Sequence, residues 1–173
     1  MKSIKIQIPE GYEIDEKNST FKEIKFKPIN NFEFVDLNLP SKTLWATCNV
    51  GAKKPEEYGK LLSFDEVFSE YELPTSDQIE ELTKFCDWKY VNYKGVNGCL
   101  VIGTNGNSIF LPAAGCRYGT SLYNVGSRGR YWSRTLYTRC PYDAYGLLFD
   151  SDSVDWYYIS RYYGQSIRCV KNN

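Results

Sequence analysis

The 173-residue sequence contains no histidine. That removes the ordinary acid–base side chain of neutral pH, and with it the common Ser/His and Cys/His catalytic arrangements. It also argues against a zinc site, because none of the six cysteines (Cys48, Cys86, Cys99, Cys116, Cys140 and Cys169) falls in a CxxC pair. The expected state of these cysteines is that of buried free thiols. Net charge is lacking too, with 21 basic residues against 21 acidic ones. Asp143, Asp150, Asp152 and Asp155 offset the arginines of the C-terminal half, so no basic patch of nucleic-acid type forms. No run reaches transmembrane length, and the opening MKSIKIQIPEGYEID is alternating and charged, without an apolar signal-peptide core. The expectation is a protein made in the cytoplasm without a secretion signal, with no membrane insertion, no nucleic-acid partner, no metal and no cofactor.

One absence is local. From Gly129 to Gly164 there is no Lys, Glu, Gln or Met, in a chain otherwise rich in Lys and Glu. All twelve Glu lie at or before Glu81, and all seven Arg lie from Arg117 onward. What fills the stretch is Tyr, Ser, Asp, Arg and Gly, the vocabulary of binding surfaces: rigid amphipathic rings and adaptable hydrogen bonds at low entropic cost.

The chain is long enough for one domain with its own core, plus a small appendage. In residues 1–30, Ile4, Ile6 and Ile8 alternate with polar residues, and Phe21 to Phe26 resumes the alternation, predicting a small N-terminal β unit. Such a unit is too small to stand alone and would serve docking or assembly. The main domain then runs over 34–173. Phe34 to Leu37 and Thr43 to Cys48 read as short strands, and Leu61 to Glu70 as a short amphipathic helix. The clearest helix starts at Thr75, where Gln78 completes a capping box and Ile79, Leu82 and Phe85 or Cys86 line one face. Lys89–Tyr93, Gly98–Gly103 and Ser108–Leu111 read as strands. Asn105-Gly106 between the last two predicts a type I′ hairpin turn. Arg117 to Gly129 reads as a Gly- and Ser-rich loop. Strands are expected at Tyr131–Ser133, Ala144–Phe149, Val154–Tyr158 and Ser166–Val170, the last with Ile167 and Cys169 facing inward.

Val35-Asp36-Leu37-Asn38-Leu39-Pro40-Ser41-Lys42-Thr43-Leu44-Trp45-Ala46, Leu73-Pro74-Thr75, Tyr131-Trp132-Ser133 and Gly164-Gln165-Ser166-Ile167-Arg168-Cys169-Val170 carry a resemblance. Over about residues 34–170 the chain resembles C-type-lectin-like domains of the formylglycine-generating-enzyme type. It is similar in particular to the Bacteroidetes major paralogous domain and to the variable proteins of diversity-generating retroelements, many of them carried by phages. The resemblance implies an α+β, C-type-lectin-like fold with one clear helix, short antiparallel strands and much irregular loop. It also implies a variable region over about 129–170. In such systems template adenines mutate, so AAC and AAT codons become NNC or NNT, which encode no Lys, Glu, Gln, Met or Trp. Trp132 and Trp156 are then unmutated scaffold. The function implied is ligand binding by a phage receptor-binding or tail-associated protein. Its partner would be a host-surface protein or glycan, its N-terminal unit would join a tail or virion, and it could form a homo-trimer. A Bacteroidetes cell-surface adhesin without diversification is the alternative, and an oxidase of the formylglycine type a third, since Cys169 sits near that family's C-terminal cysteine pair, though no close partner reproduces the pair.

The candidate ligand contacts are Tyr137, Arg139, Tyr142, Asp143, Gly146, Leu148, Asp150, Ser153, Asp155, Tyr157, Tyr158, Ile159, Ser160 and Tyr163. The tyrosines lie in loop-like positions beside Asp, Arg and Ser, more of them than a core uses. Asp150, Asp152 and Asp155 could instead chelate calcium, but their spacing is not that of an EF-hand. Trp45, Trp88, Trp132, Phe149, Val154 and Ile167 read as core. Arg161 and Arg168 could tie loops to the scaffold through backbone carbonyls.

Overall fold

The computed structural model describes residues 12–15, 20–23 and 33–172. The strand expected over Lys2–Ile8 lies outside them. Strands β1 (Tyr12–Asp15) and β2 (Thr20–Glu23) pair antiparallel with Tyr12 opposite Glu23.

The main domain begins with β3 (Phe34–Asp36) and β4 (Leu44–Ala46), an antiparallel pair. A one-turn helix, α1 (Phe64–Val67), follows. Ser63 and Glu66 close its capping box, and it buries Phe64 and Val67. Helix α2 (Ser76–Phe85) starts where its cap dictates. The Gln78 backbone N–H donates to Thr75 Oγ1 (3.1 Å), and the Thr75 backbone N–H donates to Gln78 Oε1 (2.9 Å). Its buried residues are Ile79 and Leu82.

A three-stranded meander comes next: β5 (Asp87–Tyr93), β6 (Val96–Ile102) and β7 (Ser108–Pro112). Its two hairpins use different turns. Lys94 and Gly95 both have positive φ (50° and 85°), the signature of the two-residue type I′ connection. At the second hairpin only Gly106 does (φ 84°). The expected type I′ turn at Asn105-Gly106 is therefore replaced by a three-residue loop closed by the Gly106 N–H to Gly103 O bond (2.9 Å), with the glycine taking the left-handed position after the turn. Asn105 is occupied elsewhere, donating from Nδ2 to Asp36 O (2.9 Å).

Strands β8 (Cys116–Tyr118) and β9 (Ser121–Tyr123) form a hairpin where the sequence predicted only loop. The C-terminal sheet then runs β10 (Gly129–Leu136), β11 (Asp143–Phe149) and β12 (Val154–Ser160), in that order and antiparallel. The chain ends in β13 (Val170–Lys171), which pairs with β4.

The expectation of an α+β, C-type-lectin-like fold is overturned by these elements. Strand accounts for 42% and helix for 10% of the described residues, in small antiparallel sheets with one helix longer than a single turn. From Asp87 onward the chain is dense in aromatic and β-branched residues punctuated by Gly and Asn turns, which favours hairpins over helices.

Ser166–Val170 also departs from expectation. All five residues are buried, not every second one. The segment threads the middle of the domain, bonding to β10 on one side (Trp132 N–H to Ser166 O, 3.1 Å) and to the β4 region on the other (Ala46 N–H to Cys169 O, 3.0 Å). Two apolar clusters flank it. One contains Leu37, Trp45, Ile79, Leu82, Tyr131, Leu147 and Phe149. The other contains Phe64, Leu73, Trp132, Ala144, Ile167 and Cys169. Between them lies Arg168, 1% exposed. Its guanidinium donates to Asn49 Oδ1 (3.0 Å), Ala46 O (2.9 Å) and Phe110 O (2.8 Å), the carbonyl-tying role open to it in the sequence.

Candidate functional site

Side chains alternate across a strand, so the register of the C-terminal sheet sorts the candidate residues onto two faces. Tyr145 opposes Tyr158, and Leu147 opposes Trp156. With Asp143, Phe149, Val154 and Ser160 they occupy the face toward α2. Gly146 opposes Tyr157, Ala144 opposes Ile159, and Leu148 opposes Asp155. These occupy the other face.

On the face toward α2, the Phe149 and Leu147 end is core. The opposite end is an aromatic ridge. Tyr137 stacks on Tyr158 with centroids 4.0 Å apart and planes 5° apart, and meets Tyr145 edge-on at 5.4 Å. Tyr145 in turn meets Trp156 edge-on at 5.4 Å. Tyr145 and Trp156 form one wall of a cleft of about 210 Å³ whose other wall is Ser76, Asp77 and Glu80 of α2. Trp156, expected as scaffold, is 51% exposed and belongs to this surface. Trp132 is fully buried, donating from Nε1 to Leu62 O (3.0 Å) and meeting Phe64 edge-on at 5.6 Å.

On the other face, a depression of about 330 Å³ is lined by Tyr118 and Tyr123 of the β8–β9 hairpin, Asn124, Cys116, Arg130, Ile159 and Tyr163. The Tyr118 and Tyr163 rings lie 5.0 Å apart. The hairpin is held there by reciprocal backbone bonds between Arg117 and Gly164, both 2.8 Å. The Arg130 guanidinium sits over the Tyr157 ring, 5.6 Å from its centroid. The Tyr157 hydroxyl donates to Gln165 Oε1, and burial pushes its phenol up from the ordinary value, opposed by the Arg130 charge. Gly146 lets the Tyr157 ring pack close to the sheet: a Cβ there would stand 2.7 Å from Tyr131 O and 3.3 Å from that ring.

The remaining candidates are in loops. Arg139 and Tyr142 are exposed on the 137–142 connection. Asp150 accepts from the backbone N–H groups of Asp152 (3.0 Å) and Ser153 (3.1 Å) and from Ser153 Oγ (3.1 Å). The Asp152 N–H above all holds its carboxyl below the ordinary value. Asp155 accepts from the Trp156 N–H at 2.8 Å. Each of these two carboxylates thus organises its own turn or strand start, and among the described residues no three His, Cys, Asp or Glu side chains gather as a metal site would require. All six cysteines are free. Cys169 is fully buried, its thiol pushed up to about 12 by burial. A thiol in that state is protonated at neutral pH and a poor nucleophile.

The structure therefore divides the candidates. It brings Tyr157, Ile159, Tyr163 and Leu148 to one face, and Tyr137, Tyr158, Asp143 and Ser160 to the other. Tyr118, Tyr123, Arg130 and Tyr145 were not singled out in the sequence. Tyr118 and Tyr123 lay in a segment read as loop, and Arg130 directly precedes Tyr131-Trp132-Ser133, read as a short strand. Among the described residues no helix is long and apolar enough to cross a membrane. No protein-family model, no curated protein and no solved structure shows a significant match to this chain.

Proposed function

We propose that the protein is a ligand-binding display protein, of the phage receptor-binding or tail-associated kind, diversified by a retroelement. Its partner is a host-surface protein or glycan. The N-terminal unit attaches it to the virion, and copies assembled as a homo-oligomer, a trimer on this reading, add avidity to a modest single-site affinity.

The observation that carries this reading is the coincidence of composition and place. The stretch without Lys, Glu, Gln or Met forms the sheet β10–β12 and its loops. That sheet puts Tyr142 (65% exposed), Tyr158 (50%) and Tyr162 (69%) at the surface. In the same sheet Tyr131, Trp132, Leu147 and Phe149 are buried. A rigid floor with an amphipathic, tyrosine-rich surface is what a variable binding face needs.

The test is to sequence the DNA around the gene. A near-copy of the segment encoding Gly129 to Val170, differing at adenines and lying beside a reverse transcriptase gene, is the expected result. A genome holding neither would remove diversification from the reading.

A further inference from the structure

We propose that the depression around Arg130 is a subsite for a carboxylate-bearing sugar ring. This deepens the display reading and rests on it.

The cation is the first reason. Arg130 is half-buried at the start of β10, and its Nε is buried without an acceptor. Its guanidinium lies over the Tyr157 ring and interacts with that residue's hydroxyl, and among the described residues no carboxylate pairs with it. That Nε faces the protein and not the depression, so a ligand would be met by the outer end of the guanidinium, and a carboxylate is the anion whose planar pair of oxygens fits it. The neighbouring charges do not fill that role. Asp155, on the same face of the sheet two strands away, is exposed and accepts from the Trp156 N–H. Arg117, in the β8–β9 hairpin, is committed to Glu66 (3.3 Å), Leu61 O (3.2 Å) and Gly119 O (2.9 Å). The lining thus offers one cation that, among the described residues, has no carboxylate partner.

The rings are the second reason. Tyr118 and Tyr123 are 55% and 49% exposed, and with Tyr163 they surround the cavity that Arg130 enters. Tyrosine faces take the C–H side of a pyranose ring, and their hydroxyls pair with its own. A neutral sugar would use the rings and leave Arg130 unanswered. An extended acidic peptide would use the cation and leave the stacking surfaces poorly covered. A cavity of about 330 Å³ falls at the small end of the range for ligand sites, suited to one terminal ring.

The experiment is calorimetric titration of the full-length protein with a hexuronate trisaccharide and a sialylated trisaccharide. Each is set beside its carboxyl-reduced counterpart and beside an acidic pentapeptide of matched charge. At least one acidic trisaccharide is expected to bind, with carboxyl reduction weakening it about tenfold or more. Arg130→Met should reproduce that loss without altering the thermal melt. Tyr123→Leu, at an exposed position, should weaken the acidic and the reduced sugar alike. The proposal is overturned if neither acidic trisaccharide binds at millimolar concentration, if the reduced forms bind as well, or if the pentapeptide binds as tightly. Any of these can occur while the template repeat and reverse transcriptase are found, so the display reading stands or falls separately.

Discussion

Two arginines define two regions of this molecule. Arg168 lies in the centre, 1% exposed, with three acceptors around its guanidinium and no carboxylate among them. Those acceptors come from β4 with the loop that follows it and from β7, so one side chain ties its own segment to two parts of the chain that are distant in sequence. Asn49 extends the network to Tyr58 O (2.9 Å) and the Tyr131 hydroxyl (3.3 Å), and Tyr131 donates on to Pro112 O (2.8 Å). Arg130 lies at the edge of a cavity with an aromatic ring beneath it and one donor unanswered. The residue type is the same and the physics opposite. Where its donors are matched to carbonyls the cation is architecture, and where it faces a cavity without a carboxylate partner it is capacity for a ligand.

The sharpest way to break this comparison is to make the same substitution at both positions. Arg168→Met strips the donors from Ala46 O, Phe110 O and Asn49 Oδ1 together. With unsatisfied buried acceptors costing about 1–3 kcal/mol each, a loss of about 3 kcal/mol or more is expected in urea unfolding. A loss below about 1 kcal/mol would mean that water enters and replaces the cation, and the centre would not be the rigid region claimed.

Next in size is Gly129→Ala, which tests whether the sheet that carries Arg130 is as tightly built as the centre. Gly129 pairs with Phe149, and a Cβ there would stand 2.0 Å from that ring. The ring also contacts Trp88 (6.0 Å) and Tyr131 (6.1 Å) in the main core. Displacing it should cost about 1–3 kcal/mol, the usual range for overpacking. An unchanged melting curve would mean that the sheet yields easily and gives its surface no fixed floor.

The two regions also differed in how well the sequence announced them. Helix α2 was legible because its signals are local: Thr75 and Gln78 cap it, and Ile79 and Leu82 sit on one face. The meander β5–β7 was legible for the same reason, although the turn geometry at Gly106 was not. The β8–β9 hairpin was illegible, since two strands of three residues carry no periodic signal and are held from outside. Gly115 (φ 69°) brings the backbone so close to Tyr123 that a Cβ would stand 2.1 Å from its carbonyl oxygen, an approach that no local pattern encodes. Composition marked the stretch Gly129 to Gly164 as a surface, but not which side chains face outward. Core lies on both sides of this sheet, so the neighbours Tyr131 and Trp132 are both buried and alternation fails as a guide. The α+β expectation failed similarly: a clear helix signal at Thr75 says nothing about how much strand surrounds it.

Alkaline pH sharpens the comparison further, because the centre holds protons that an unfolded chain would release. Burial pushes the Cys99 and Cys169 thiols from 9.0 to about 12 and the Tyr131 phenol from 10.0 to about 12. A raised folded-state value means that the stabilisation is fully present below the unfolded value and is lost as pH rises through the folded one. Stability should therefore hold up to about pH 9 and decline between pH 9 and 12. At pH 10 each of the two buried thiols should account for roughly 1 kcal/mol. Cys169→Ala should shallow the slope of melting temperature against pH above 9, and a slope identical to that of the unsubstituted chain would show that this thiol titrates freely in the folded state.

The smallest expected stability change is at Arg130, and its smallness is the point. Arg130→Met keeps an unbranched stem against Tyr157 and removes a cation with a buried unpaired Nε. Replacing a poorly satisfied buried polar group by an apolar one of similar shape is close to neutral, so unfolding in urea should shift by less than about 0.5 kcal/mol in either direction. The same change at Arg168 is expected to cost several times as much. If Arg130→Met instead destabilises by about 2 kcal/mol, its guanidinium supports Tyr157 and the depression as structure, and the carboxylate subsite loses its basis. If the two variants part as expected, one arginine holds the fold together and the other is kept, at no gain to the fold, for something outside it.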